Sequence, residues 1–138
     1  MDISNIERIE DIILNKNIGL FNITTNNIPI AAIKINNEKS IYYDQKKFDN
    51  KTEKYTAILH EYYHCELDAF YTFDDSLQTR KRREYKANKQ LVLDLIPIEK
   101  LKKLLHADSL KWEIAEEFGV TEETIDLAFK IYKNIGYL

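Results

Sequence analysis

Leu59-His60-Glu61-Tyr62-Tyr63-His64-Cys65-Glu66 is the stretch on which the reading of this 138-residue chain turns. On a helix, residues four apart sit one above the other, so the imidazoles of His60 and His64 project from one face. Two such groups can hold a zinc ion at ~2.0–2.1 Å from each ligating nitrogen. Glu61, beside the first histidine, puts a carboxylate where it can take a proton from water polarised by the metal. The plain alternative is two surface histidines flanking a glutamate. Apolar Ile58, Leu59 and Leu67 around the motif argue for a mid-helix, partly buried position and for the metal reading.

A catalytic zinc site takes three protein ligands and leaves one position open. Glu84, 20 residues after His64, is the expected third ligand. Ala87, Asn88, Leu91 and Leu95 follow it at i+3, i+4, i+7 and i+11 and share its helix face. A small residue at 87 lets that face approach the motif helix, and Asn88 is placed to orient a ligating imidazole. The competing reading makes Glu84 one more surface charge in Arg80-Lys81-Arg82-Arg83-Glu84. Other carboxylates fit less well. Glu66 and Asp68 sit on other faces of the motif helix, and Asp74 and Asp75 fall in a loop.

Working outward, Ser4 caps an expected helix over residues 5–14 with Ile6, Ile9 and Ile13 on one side. Strands are expected at 19–23, 30–35 and 40–43, with Asn26-Asn27 and residues 36–39 as turns. Asn50 and Glu53 form a capping-box pattern that opens the motif helix, expected over 51–71. Further helices are expected at 78–95, stopped by Pro97, then at 98–105 and 108–118, with Gly119 closing the latter. Thr121 caps a last helix to about residue 134. This order predicts an α+β domain spanning 1–138, a small antiparallel sheet followed by a mainly helical C-terminal half.

Composition narrows the class. Three Gly and two Pro argue against a disordered or repetitive chain, and one Cys excludes an internal disulfide. The N-terminus has no signal-peptide pattern and no apolar run is long enough to span a bilayer, so a soluble cytoplasmic protein is expected. The formal net charge of −3 exerts no global pull towards nucleic acid or anionic membrane. Residues 114–125 read like a helix-turn-helix, yet from Asp108 to Asp126 one Lys faces seven acids, which DNA would repel. That unit is therefore expected to cap the domain. Residues 80–103 carry nine Lys/Arg and three acids, a solvated face by default and otherwise a docking surface for an acidic partner. His106 reads as a helix-end residue and Cys65 as a small buried hydrophobe.

Taken with Phe70-Tyr71, Arg83-Glu84-Tyr85-Lys86-Ala87-Asn88-Lys89 and Leu95-Ile96-Pro97, the opening stretch resembles the ImmA/IrrE-type metallopeptidases of phages, mobile elements and stress regulators. The resemblance covers residues 40–138. It implies a zincin-like fold with His60, His64 and Glu84 as zinc ligands and Glu61 as catalytic base. It also implies cleavage of a transcriptional repressor. Many members carry Gly where this chain has Tyr63. An extended substrate is expected to pair with an edge strand at Ile41-Tyr42-Tyr43-Asp44. Two other readings stay open: a non-catalytic regulator that binds a repressor or antitoxin through the same site, and a DNA-binding protein.

Overall fold

The computed structural model describes residues 8–138. Its helices are α1 (Ile9–Asn15), α2 (Lys51–Glu66), α3 (Leu77–Leu95), α4 (Ile98–His106), α5 (Lys111–Phe118) and α6 (Glu122–Ile135). Strands β1 (Gly19–Asn22), β2 (Ile30–Ile35) and β3 (Glu38–Tyr43) form one sheet between α1 and α2 in the chain. The expected α+β class, mostly helical, is what is found. The expected Ser4 cap and residues 5–7 of the expected first helix, Ile6 among them, lie outside the described residues. Within them, Ile9 and Ile13 are buried in the core.

The sheet is mixed, not purely antiparallel as expected. Its order is β1-β3-β2, with β1 parallel and β2 antiparallel to β3. Asn36 and Asn37 both adopt positive φ (51° and 66°), so two residues suffice for the β2–β3 hairpin. That tight turn commits β2 to one side of β3 and leaves β1 the other. Residues 23–29 then cross the end of β3, and Asp44 fastens them there. Its carboxylate accepts from the Thr25 N–H at 3.0 Å, and its own N–H donates to the Pro29 carbonyl at 2.9 Å. The Ile41–Asp44 stretch is consequently the centre of the sheet and its capped end. The expectation of a substrate-binding edge there is wrong, and the edge beside α2 is β2.

α2 begins as its sequence dictates. The Asn50 side chain accepts from the Glu53 N–H at 2.9 Å, while Glu53 Oε2 accepts from the Asp49 N–H at 3.0 Å. The helix stops at Glu66, short of the expected residue 71, because Asp68 turns left-handed (φ 52°). The Asp68 N–H then reaches the Cys65 carbonyl and the Ala69 N–H reaches the His64 carbonyl, a Schellman closure with aspartate in the glycine position. Lys39 Nζ satisfies the Cys65 carbonyl at 2.7 Å, and Lys34 pairs with Asp68 at 2.9 Å. α5 likewise starts later than expected, at Lys111, after a left-handed Asp108 (φ 56°).

α2 packs on β2 and β3 with one face and on α3 with another. Ile58, Leu59, Tyr62 and Tyr63 join Ala87, Leu91, Val92 and Leu95 in a shared core. Ala87, fully buried, is the small residue that lets the two helices meet. α6 lies along α3, and its Tyr132 hydroxyl donates to the Ile96 carbonyl at 2.6 Å, fixing the joint before α4. Tyr63 is 1% exposed and its hydroxyl donates to Asp94 Oδ2 on α3 at 2.6 Å. It is thus a core strut between the two helices that carry the motif residues. Tyr63→Gly is expected to cost roughly 4 kcal/mol, from the cavity and the helix-interior glycine. Tyr63→Phe, which loses only the hydrogen bond to an exposed acid, should cost about 1 kcal/mol. Urea denaturation of both variants measures the difference.

Candidate metal centre

His60, His64 and Glu84 converge on one point. His60 Nε2 lies 2.9 Å from Glu84 Oε2, His64 Nε2 lies 2.9 Å from Glu84 Oε1, and the two imidazole nitrogens are 3.1 Å apart. A tetrahedral ion at 2.0–2.1 Å from each ligand would hold such atoms about 3.3 Å apart, so the set fits with shifts of a few tenths of an ångström. Two imidazoles and a carboxylate are the donor types of a three-ligand divalent-metal site. The helices supply this geometry: one turn of α2 stacks the histidines, and the close approach at Ala87 brings Glu84 across from α3.

The supporting contacts come from the turn after α2. His64 Nδ1 donates to the Ala69 carbonyl at 2.7 Å, which fixes the ring and leaves Nε2 free to ligate. The same Schellman closure that ends the helix aims that carbonyl back at the ring. The Tyr71 hydroxyl donates to Glu84 Oε1 at 2.8 Å. Asn88, expected to orient an imidazole, makes no hydrogen bond to either among the described residues. It lines a cleft beside His60 instead. Nothing in residue spacing marks Ala69, since its contribution is a backbone carbonyl, and Tyr71 lies in an irregular segment without periodicity.

Electrostatics follow from burial and these contacts. Burial disfavours a charge on His64, but hydrogen bonds to Glu84 and to the Ala69 carbonyl outweigh it and raise its pKa. Burial also works against a charged Glu84, yet bonds from His60, His64 and Tyr71 hold its carboxyl far below the usual carboxylate range. Tyr71 is pushed up to about 12, by burial first and then by Glu84, so its hydroxyl stays a donor. Glu61 is different. Burial raises its pKa and nearby Glu84 adds to the effect, while His60, His64 and the Ala32 N–H oppose it. A carboxylate made more basic in this way, next to the histidine pair, is equipped to accept a proton.

Glu61, His64, Tyr71 and Glu84 line a cavity of about 300 Å³. Ile28, from the strap over β3, together with Ile30 of β2, Phe70 and Phe73, makes much of its wall apolar. Arg80, one turn before Glu84, also faces it. The remaining candidates stay apart. Glu66 pairs with Lys16 and Asp68 with Lys34, and Asp75 accepts from the Thr72 N–H. His106 is exposed at the end of α4. Cys65 is buried, and burial with Glu61 nearby pushes its thiol up to about 12, which leaves it an inert core group.

Comparison of the chain with protein-family models, curated proteins and solved structures found no match. No helix among the described residues is long and apolar enough to cross a membrane.

Proposed function

We propose that this chain is a zinc-dependent endopeptidase of the ImmA/IrrE type that cleaves a helix-turn-helix transcriptional repressor of a mobile element. The observation that carries the reading is the meeting of His60, His64 and Glu84 with Glu61 alongside. A zincin-like fold is supported by the motif helix packed against an edge strand, with the third ligand drawn from the next helix.

His60, His64 and Glu84 would hold the zinc, whose Lewis acidity polarises a peptide carbonyl and acidifies water. β2 pairs only with β3 among the described residues, so its outer edge can take an extended peptide as an added strand. Ala31 and Ala32 of that strand line the cavity, and their small side chains leave room for a backbone there. Glu61 takes a proton from water as the water oxygen bonds to the carbonyl carbon. It then delivers that proton to the amide nitrogen as the C–N bond breaks. The apolar wall at Ile28, Ile30, Phe70 and Phe73 suits a hydrophobic side chain next to the scissile bond. Tyr71 and Ala69 keep Glu84 and His64 oriented throughout.

Mapping protein N-termini in cells that produce either the wild-type chain or Glu61→Gln tests this reading. New N-termini confined to the wild type, among them one inside a repressor, are expected. Identical N-terminal profiles would refute it.

A further inference from the structure

A second and larger cavity, about 600 Å³, opens between α3 and α6. It shares Tyr71, Arg80 and Glu84 with the cavity at the candidate metal centre, so the two cavities adjoin along the wall that carries the Glu84 carboxylate. The two halves differ in character. The β2 side is apolar, whereas the α3/α6 side carries Arg80, Lys81 and Lys130. None of these three cations forms a salt bridge among the described residues, although the whole chain has a net charge of −3. Glu84 is the one carboxylate lining this half, and two imidazoles already match it. Arg80 Nε is buried without any hydrogen-bond partner.

We infer that the α3/α6 cleft binds an acidic stretch of the polypeptide that reaches the metal centre, with Arg80, Lys81 and Lys130 receiving its carboxylates. This deepens the peptidase reading and rests on it for the identity of the ligand as a polypeptide. Arg80 offers a planar fork of donors to a carboxylate or a carbonyl at the boundary of the two halves. Lys81 of α3 and Lys130 of α6 line the same cleft and supply point charges. Leu77 and Leu127 add apolar lining to the cleft for side-chain stems. The preferred sequence is therefore asymmetric: a hydrophobic residue on the β2 side and acidic residues on the α3/α6 side.

A random dodecamer phage library panned against zinc-loaded Glu61→Gln protein tests this. Enriched peptides are expected to carry Asp or Glu clustered to one side of an apolar residue. Lys81→Glu/Lys130→Glu should lower their affinity at least about tenfold by fluorescence anisotropy, and more at 50 mM than at 300 mM salt. Peptides with Lys in place of the acidic residues should recover binding to that double variant, which a misfolded protein could not do. No enrichment, enrichment without acidic bias, or unchanged affinity in the double variant would overturn the assignment. So would a fluorescent DNA duplex that binds in place of the peptides and is lost in the double variant. Wild-type protein that binds the selected peptides but leaves them intact would refute the peptidase reading and leave the cleft assignment standing.

Discussion

Glu61→Gln is expected to retain zinc and to slow peptide cleavage by ~10²–10⁴-fold, the range for a lost general base. The substitution is nearly isosteric, and the amide oxygen can still accept from the Ala32 N–H. Glu61 is not among the three converging ligand side chains, so metal affinity should change little. What disappears is the one carboxylate of the cavity whose pKa is raised, chiefly by burial. The variant should therefore separate metal content from turnover. Equal zinc stoichiometry with a collapsed rate is the expected pair of results. Unchanged turnover would remove Glu61 from the chemistry.

Glu84→Ala should do the opposite and abolish the metal site itself. Loss of an outer partner of a ligand costs about 10–100-fold in metal affinity. Loss of a ligand should exceed about a hundredfold. The variant leaves two imidazole nitrogens 3.1 Å apart with no carboxylate between them. It also frees the Tyr71 hydroxyl, which now donates to Glu84. The fold should survive, because Glu84 is half-exposed and the buried α2–α3 contact runs through Ala87, Leu91 and Leu95. Competition with a chromogenic chelator measures the affinity. A Glu84→Ala chain that binds zinc as tightly as wild type would show that the ion sits elsewhere.

Much of this centre was legible in the amino-acid order because helices turn spacing into direction. The i, i+4 histidines had to share a face, and Glu84 had to share one with Ala87 and Leu91. What escaped prediction depends on backbone rather than on side-chain type. The Ala69 carbonyl serves His64 only because Asp68 takes a left-handed conformation, which ends α2 five residues before periodicity suggested. The mixed sheet depends on an Asn36-Asn37 turn tight enough to exclude β1 from one side of β3. That choice made β3 central and moved the free edge to β2. Tyr63 is a buried strut to Asp94 and does not line the cavity. Arg80 looked like one cation in a basic run. Its position on the wall common to both cavities follows from the packing of α3 against α6.

His60, His64 and Glu84 are expected to hold one divalent metal ion together. X-ray absorption spectroscopy of the stripped chain reconstituted with one equivalent of zinc reads the ligand set. A first shell of nitrogen and oxygen at ~2.0–2.1 Å with the scattering signature of two imidazoles is expected. No sulfur scatterer should appear at ~2.3 Å, because Cys65 is buried in the core. Failure to take up zinc, a sulfur ligand, or a shell with fewer than two imidazoles would rule this ligand set out.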